Sequence, residues 1–232
     1  MPRDVGVIIV AAGQGNRLGG STPKQFQPIA GVPMLLRAIR PFASHPEVGG
    51  VVVVLAPDTA ATPPGWLAEL SGPALKLVAG GAERSDSAMA GLEALDAACT
   101  VVLVHDAARP FVDRAIIDAV IAGAREGKGA IPAVPVGDTL KAAAAPKDGG
   151  LIRQTVPRAG LWRAQTPQGF PRGVLERAYA AARSRREVAT DDAALVEAIG
   201  ETVTLVPGSE RNIKVTTALD LELSEQLARG QS

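Results

Sequence analysis

Residues 5–26, VGVIIVAAGQGNRLGGSTPKQF, decide how the chain is read. Val5 to Val10 form a short apolar run rich in β-branched residues, the pattern of a strand buried on both faces of a parallel sheet. Ala11-Ala12-Gly13-Gln14-Gly15-Asn16-Arg17 follows at once. Its small side chains leave backbone N–H groups open to a ligand, and its glycines can turn several amides inward, so the loop can cradle phosphate. Arg17 and Lys24 add two cations able to offset a triphosphate and the charge that develops when one of its phosphorus atoms is attacked.

Two other phosphate loops fail on spacing. Gly13, Gly15 and Gly19 stand as G-x-G-x-x-x-G, not the G-x-G-x-x-G of dinucleotide sites, and the nearby lysine follows Pro23 rather than a glycine, as a Walker loop requires. For the glycines alone, a glycine-rich surface loop with two solvated cations is the favoured reading. Against it, Ala11 to Val32 shows no clear helix or strand, and so long a connection inside a compact domain is more often functional than idle.

The pattern AAGxGxRxG followed by PKQF resembles the signature of the 2-C-methyl-D-erythritol 4-phosphate cytidylyltransferase family, a branch of the nucleoside-triphosphate transferases. GGAERSDS at 80–87, HDAARP at 105–110, DT at 138–139 with TVPRAGLW at 155–162, and NIKVT at 212–216 resemble the same family, so the likeness covers essentially the whole chain. The chain departs from that pattern at Val10, where relatives usually carry proline, and at Ala82, where they often carry an acidic residue.

The resemblance implies CTP and 2-C-methyl-D-erythritol 4-phosphate as substrates, with pyrophosphate as the second product. Arg17 and Lys24 would stabilise the transition state. Ala11, Ala12, Gly13, Gly15, Gly81 and Ser87 would hold the nucleotide. Asp106, Ala107, Arg109, Thr139 and Thr190 would position the second substrate together with Arg158 and Lys214. Mg²⁺ would travel mainly on the CTP phosphates, with no protein side chain assigned as its ligand. A ribitol 5-phosphate or other polyol-phosphate cytidylyltransferase is the alternative. Such enzymes share the PKQ loop but tend to carry Ala-Gly-Gly where Ala11-Ala12-Gly13 stands, and lack an arginine at the place of Arg158. A non-catalytic nucleotide-binding regulator would not need both Arg17 and Lys24 aimed at phosphates.

In bulk, 232 residues fit one α/β domain with a sizeable core. The 24 basic and 24 acidic residues balance, so nothing points to a nucleic acid or an anionic membrane as partner. Cys99 is the lone cysteine, which excludes an internal disulfide and a multi-thiolate zinc site and suits a cytoplasmic protein, though a cysteine-poor secreted chain would look alike. The Val5 to Ala12 run is not read as a signal-peptide core, because Asp4 spoils a basic leader and Arg17 follows closely.

Strand-like and helix-like segments alternate along the rest of the chain, as in a Rossmann-like, doubly wound, mostly parallel sheet. Helices are expected at Pro33 to Ala43, around Trp66 to Leu70, after a Ser85 or Asp86 cap, at Asp113 to Glu126, Arg172 to Arg185, Ala193 to Ile199 and Leu219 to Leu227. Strands are expected at Val51 to Leu55, Leu75 to Val78, Val101 to Val104, Ala130 to Val136, Thr202 to Val206 and Asn212 to Thr216. Thr59 to Gly65 reads as a loop. Pro132 and Pro135 place the Ala130 strand at an edge or at a departure from the sheet. His105 reads as a packed, hydrogen-bonded side chain. Asp106 and Arg109 read either as an ion pair shaping a turn or as substrate ligands; capping alone would explain Thr190-Asp191-Asp192, which by position resemble a family motif in which Thr190 touches the substrate. Residues 137–160 read as a protruding β-hairpin. The sequence alone allows a surface flap, while the resemblance implies an arm that embraces a second subunit of a homodimer.

Overall fold

A computed structural model describes residues 3–13, 23–144, 150–185 and 189–230. The chain opens with β1 (Val5–Ala11), almost wholly buried as its apolar run requires. A 3-10 turn (Lys24–Phe26) leads into a tight hairpin of β2 (Pro28–Ile29) and β3 (Val32–Pro33), so the connection expected to lack regular structure contains some. Next come α1 (Met34–Ala43) and β4 (Val48–Leu55). The stretch read as a Pro and Thr rich loop overlaps a short helix, α2 (Pro57–Ala61), which opens on Pro57 with Asp58 in its first turn. After α3 (Gly65–Leu70) and β5 (Leu75–Ala79), α4 (Arg84–Ala94) starts earlier than expected. Glu83 is its N-cap residue, and Asp86 acts from the third helical position by accepting the Glu83 N–H.

The second half begins with β6 (Val101–Asp106), α5 (Arg114–Arg125) and β7 (Gly129–Pro135). The hairpin of β8 (Leu140–Ala143) and β9 (Ile152–Val156) pairs only with itself. Two strands absent from the sequence reading follow, β10 (Trp162–Ala164) and β11 (Gln168–Pro171), then α6 (Arg172–Arg185), α7 (Asp192–Ala198), β12 (Val203–Pro207) and α8 (Ala218–Arg229). Residues 212–216, expected as a strand, join no sheet. The segment folds back over the sheet end, where the Val215 N–H reaches the Ala108 carbonyl and buried Val215 packs among Ile29, Met34, Phe111 and Ala228.

The main sheet runs β10-β7-β11-β6-β1-β4-β5, with β12 added alongside β7. It is mixed but mostly parallel, with helices on both faces, as expected. Alternate residues of each strand feed two cores. Val7, Ile9, Val53 and Leu103 face α1 and α5, whereas Ile8, Val52, Val54, Val102 and Val104 face α4, α6 and α7. The strand bearing Pro132 and Pro135 lies inside the sheet, not at its edge, since β7 pairs with β12 on one side and with β10 and β11 on the other. Pro132 is tolerated because its missing N–H faces the gap between β10 and β11, where its carbonyl still accepts the Gln165 N–H at 2.7 Å.

Candidate active site

From β1 the chain adds β4 and β5 on one side, then crosses back to place β6 on the other. The loops leaving β1 and β6 therefore diverge, and a crevice opens above the carboxyl ends of the strands, the usual ligand position in such sheets. A cavity of about 480 Å³ occupies it, walled by the end of β1 through Gly13, by Gly81 to Arg84 with Ser87, and by Asp106 to Ala108. Lys24, Gln25 and Met34 complete one rim, and Lys214 and Thr216 the other.

One wall depends on an unusually close approach. A Cβ on Gly80 would lie 2.5 Å from Ser87 Oγ and 2.8 Å from the Ala12 Cβ, so only glycine lets the loop after β5 rest against the end of β1. Buried Ser87 donates from Oγ to the Glu83 carbonyl at 3.2 Å, which ties the first turn of α4 to this wall.

The opposite wall carries alternating charge. Lys214 Nζ lies 2.6 Å from Asp106 Oδ2, Arg84 Nη2 lies 3.3 Å from Asp106 Oδ1, and Arg84 Nη1 lies 2.8 Å from Asp192 Oδ2. Tyr179 closes the row by donating its hydroxyl to Asp192 Oδ1 at 2.7 Å. Burial alone would push the Asp106 carboxyl up, but Arg84 and Lys214 outweigh it and hold Asp106 well below the usual carboxylate range. Asp192 and Asp106 likewise overcome the desolvation of the Arg84 guanidinium and raise its pKa, so Arg84 stays cationic. The sequence pattern marks neither Arg84 nor Asp192 as a site residue. One signal is there: a cation at the start of a helix is opposed by the helix dipole and therefore needs anionic partners.

His105 bears out its structural reading. It is fully buried, and its partners fix the tautomer. Nε2 must donate to the Arg109 carbonyl at 3.0 Å, which leaves Nδ1 to accept from Thr166 Oγ1 at 3.1 Å, while Thr166 accepts the Asp106 N–H at 3.0 Å. Burial pushes the His105 pKa down to about 4, so the ring is neutral near pH 7. Arg109 is engaged by backbone carbonyls. Its guanidinium donates to the Asn212 carbonyl at 2.7 Å and the Ala164 carbonyl at 3.3 Å, and so clamps the 212–216 segment that carries Lys214.

The cavity thus gathers Ala11, Ala12, Gly13, Lys24, Gly81, Ser87, Asp106, Ala107 and Lys214 from the residues chosen on sequence. It does not gather Arg109, Thr139, Arg158 or Thr190 from within the same chain. Thr139 and Arg158 are exposed at the base of the β8–β9 hairpin, where Arg158 donates to the Gly137 carbonyl, and Thr190 is exposed just before α7. Gly15 and Arg17 lie outside the described residues. Among the described residues, Glu83 and Asp106 are the carboxylates lining the cavity. A group of His45, Glu47 and Asp118 comes together before β4, at the opposite end of the sheet, where His45 Nε2 meets Asp118 Oδ1 at 2.8 Å and Glu47 pairs with Arg125.

A family model for 2-C-methyl-D-erythritol 4-phosphate cytidylyltransferase matches residues 5–229. The chain is 49% identical over 231 residues to a bifunctional enzyme IspD/IspF of Rhodospirillum rubrum, covering 98% of this chain and 58% of that one, so it spans little more than half of that relative. It is 46% identical over 225 residues to a 2-C-methyl-D-erythritol 4-phosphate cytidylyltransferase of Frankia casuarinae, covering 96% of this chain and 80% of the relative. Its fold superimposes on the crystal structure of 2-C-methyl-D-erythritol 4-phosphate cytidylyltransferase from Thermus thermophilus with a TM-score of 0.81 at 38% identity, over 97% of this chain and 99% of the other. With the match spanning every element that builds the cavity, the chain belongs to the 2-C-methyl-D-erythritol 4-phosphate cytidylyltransferase family.

Proposed function

We propose that this chain transfers a cytidylyl group from CTP to 2-C-methyl-D-erythritol 4-phosphate, releasing pyrophosphate, as a step of the non-mevalonate route to isoprenoids. The observation that carries the reading is the division of the cavity. A small-residue wall with Lys24 suits a nucleoside triphosphate, and across from it Lys214, seated on Asp106, suits a phosphate monoester.

No protein nucleophile is needed, because the methylerythritol phosphate oxygen is already anionic. It attacks the α-phosphorus of CTP, a new P–O bond forms, and the bond to the bridging α–β oxygen breaks to release pyrophosphate. Lys24 neutralises charge on the phosphates as the five-coordinate state forms, with Arg17 assigned beside it by resemblance. Ala11, Ala12, Gly13, Gly81 and Ser87 seat the nucleotide, with Gly15 in the same loop. Asp106, Ala107, Arg109 and Lys214 hold the second substrate, assisted by Thr139, Thr190 and Arg158, with Arg109 also fixing the segment bearing Lys214. Asp106 is already engaged by two cations, so the donor set fits an Mg²⁺ carried mainly by phosphate oxygens. The ion supplies further charge neutralisation when bound.

The whole chain reads as one nucleotidyltransferase domain with a dimerisation arm at about 137–160. Leu151 and Ile152 on that arm are 85% and 65% exposed, and a lone two-stranded hairpin is marginal in water, which supports a second copy as its partner in a homodimer. No helix among the described residues is long and apolar enough to cross a membrane. A buried, unpaired Cys99 agrees with a cytoplasmic setting. The deciding experiment is pyrophosphate release by purified protein given CTP, Mg²⁺ and either methylerythritol phosphate or ribitol 5-phosphate. Turnover with the first and little with the second is expected, and the reverse preference overturns the assignment.

A further inference from the structure

We propose that Arg84 is a positioning residue for the transfer, bridging Asp106 and Asp192 so that Lys214 presents its charge to the attacking phosphate. This deepens the function proposed above and rests on it.

Arg84 opens α4, where the helix dipole disfavours a cation. Two carboxylates offset that, Asp106 at 3.3 Å and Asp192 at 2.8 Å. The Asp192 side chain is wholly buried and held from behind by the Tyr179 hydroxyl, while Gln168 Oε1 accepts the backbone N–H groups of Asp192 and Ala193. Arg84 is thus anchored to α7, which packs on the same face of the sheet as α4, and reaches forward to Asp106. Asp106 is faced by Arg84 from α4, by Lys214 from the 212–216 segment, at longer range by Arg109 from the turn after β6, and by neutral His105 on its own strand, with Asp192 beyond Arg84. Lys214 and Arg84 together balance Asp106 and Asp192. Remove Arg84 and Asp106 loses one of its two cations, while the wholly buried Asp192, which burial already pushes toward its neutral form, loses its charge partner, so nothing holds Asp106 in place from the α4 side. Arg84 also follows directly on Gly81 to Glu83, which joins the nucleotide wall to the phosphate wall through one side chain.

The test uses purified protein, pyrophosphate release with CTP and methylerythritol phosphate, and equilibrium binding of CTP. Arg84→Gln is expected to lower kcat/KM for methylerythritol phosphate by roughly 10²-fold, as for loss of one preorganised charge. CTP affinity should change by no more than about threefold. Arg84→Lys, which keeps the charge without the fork, should recover part of the loss. The double variant Arg84→Gln/Asp192→Asn removes the buried carboxyl left without its cation and should be more active than Arg84→Gln alone. This recovery is not expected of a side chain that only packs.

Should Arg84→Gln fold poorly by circular dichroism, kcat/KM and CTP affinity of Arg84→Lys and of the double variant decide the matter. An Arg84→Lys variant no more active than Arg84→Gln, or a CTP affinity that falls as far as kcat/KM for methylerythritol phosphate, overturns the role of Arg84. Wild-type protein that releases no pyrophosphate from these substrates overturns the activity itself.

Discussion

Lys214 Nζ rests 2.6 Å from Oδ2 of Asp106, so the cation assigned to the incoming phosphate is held at the end of β6 before any substrate arrives. Substrate phosphate need only share an ammonium group already in place. Lys214→Ala should therefore cut kcat/KM for methylerythritol phosphate by on the order of 10²-fold while leaving the Kd for CTP within about threefold. Steady-state kinetics beside calorimetric CTP binding checks this. An equal loss in both quantities would make Lys214 a nucleotide contact instead.

Lys24 occupies the other rim, at the start of the 3-10 turn. Its charge matters most when the α-phosphorus becomes five-coordinate, so Lys24→Ala should lower kcat by about 10²-fold and weaken CTP binding much less. Single-turnover measurements separate the two. A variant with normal kcat and only a raised KM would reduce Lys24 to a ground-state phosphate contact.

Gly80 offers a steric test of the nucleotide wall. Gly80→Ala brings a methyl within 2.8 Å of the Ala12 Cβ and must push the loop after β5 away from the end of β1. A stability loss of about 1–3 kcal/mol is expected, with KM for CTP raised roughly tenfold. Gly50→Ala, where an added Cβ meets nothing within 4 Å, is the control for stability.

His105 should leave a mark on acid stability. Its pKa is lowered to about 4 by burial, so between about pH 4 and the unfolded value near 6.5 the unfolded chain binds a proton that the folded one refuses. This contribution is fully present above about pH 6.5 and shrinks as pH falls toward 4, by on the order of 3 kcal/mol. Urea midpoints measured from pH 4.5 to 7 should rise with pH in wild type and rise less steeply in His105→Gln. Parallel curves would mean that His105 titrates normally.

Arg158 tests the arm. It sits outside its own chain's cavity, so in the proposed homodimer it would serve the partner's site. Mixing Arg158→Ala with Lys24→Ala chains should, after subunit exchange, yield one site with both lesions and one with neither, and activity should partly return. Mixed dimers confirmed by mass yet as inactive as their parents would leave the arm a structural role only.

The strands that bear the site were legible because burial on both faces imposes a continuous apolar run, as at Val5 to Val10 and Val101 to Val104. The bounds of α6 were also legible, since nothing competes with its periodicity. Trp162 to Ala164 and Gln168 to Pro171 escaped because strands of three and four residues carry no period and are interrupted by polar residues that hold the site together, Gln165 and Thr166. Asn212 to Thr216 misled for the opposite reason. Its β-branched pattern is real, but Ile213 and Val215 pack toward α8 and Lys214 is drawn to Asp106, so no ladder forms. For the site, small residues and cations marked which loops meet, whereas the bridge from Arg84 to Asp192 spans over a hundred residues and depends on tertiary folding.

The place of β11 also constrains how the chain comes off the ribosome. β11 pairs antiparallel with β6 and reaches β7, so the sheet is closed by a segment made long after either neighbour. Until residue 171 has emerged, the apolar strand Val101 to Val104 has one finished flank, against β1, and one row of unsatisfied amides. Such an edge is a template for pairing with other chains. Nascent chains halted between β7 and β11 should therefore be the species that chaperones hold longest, and slowing elongation across that interval should harm yield more than slowing it anywhere later.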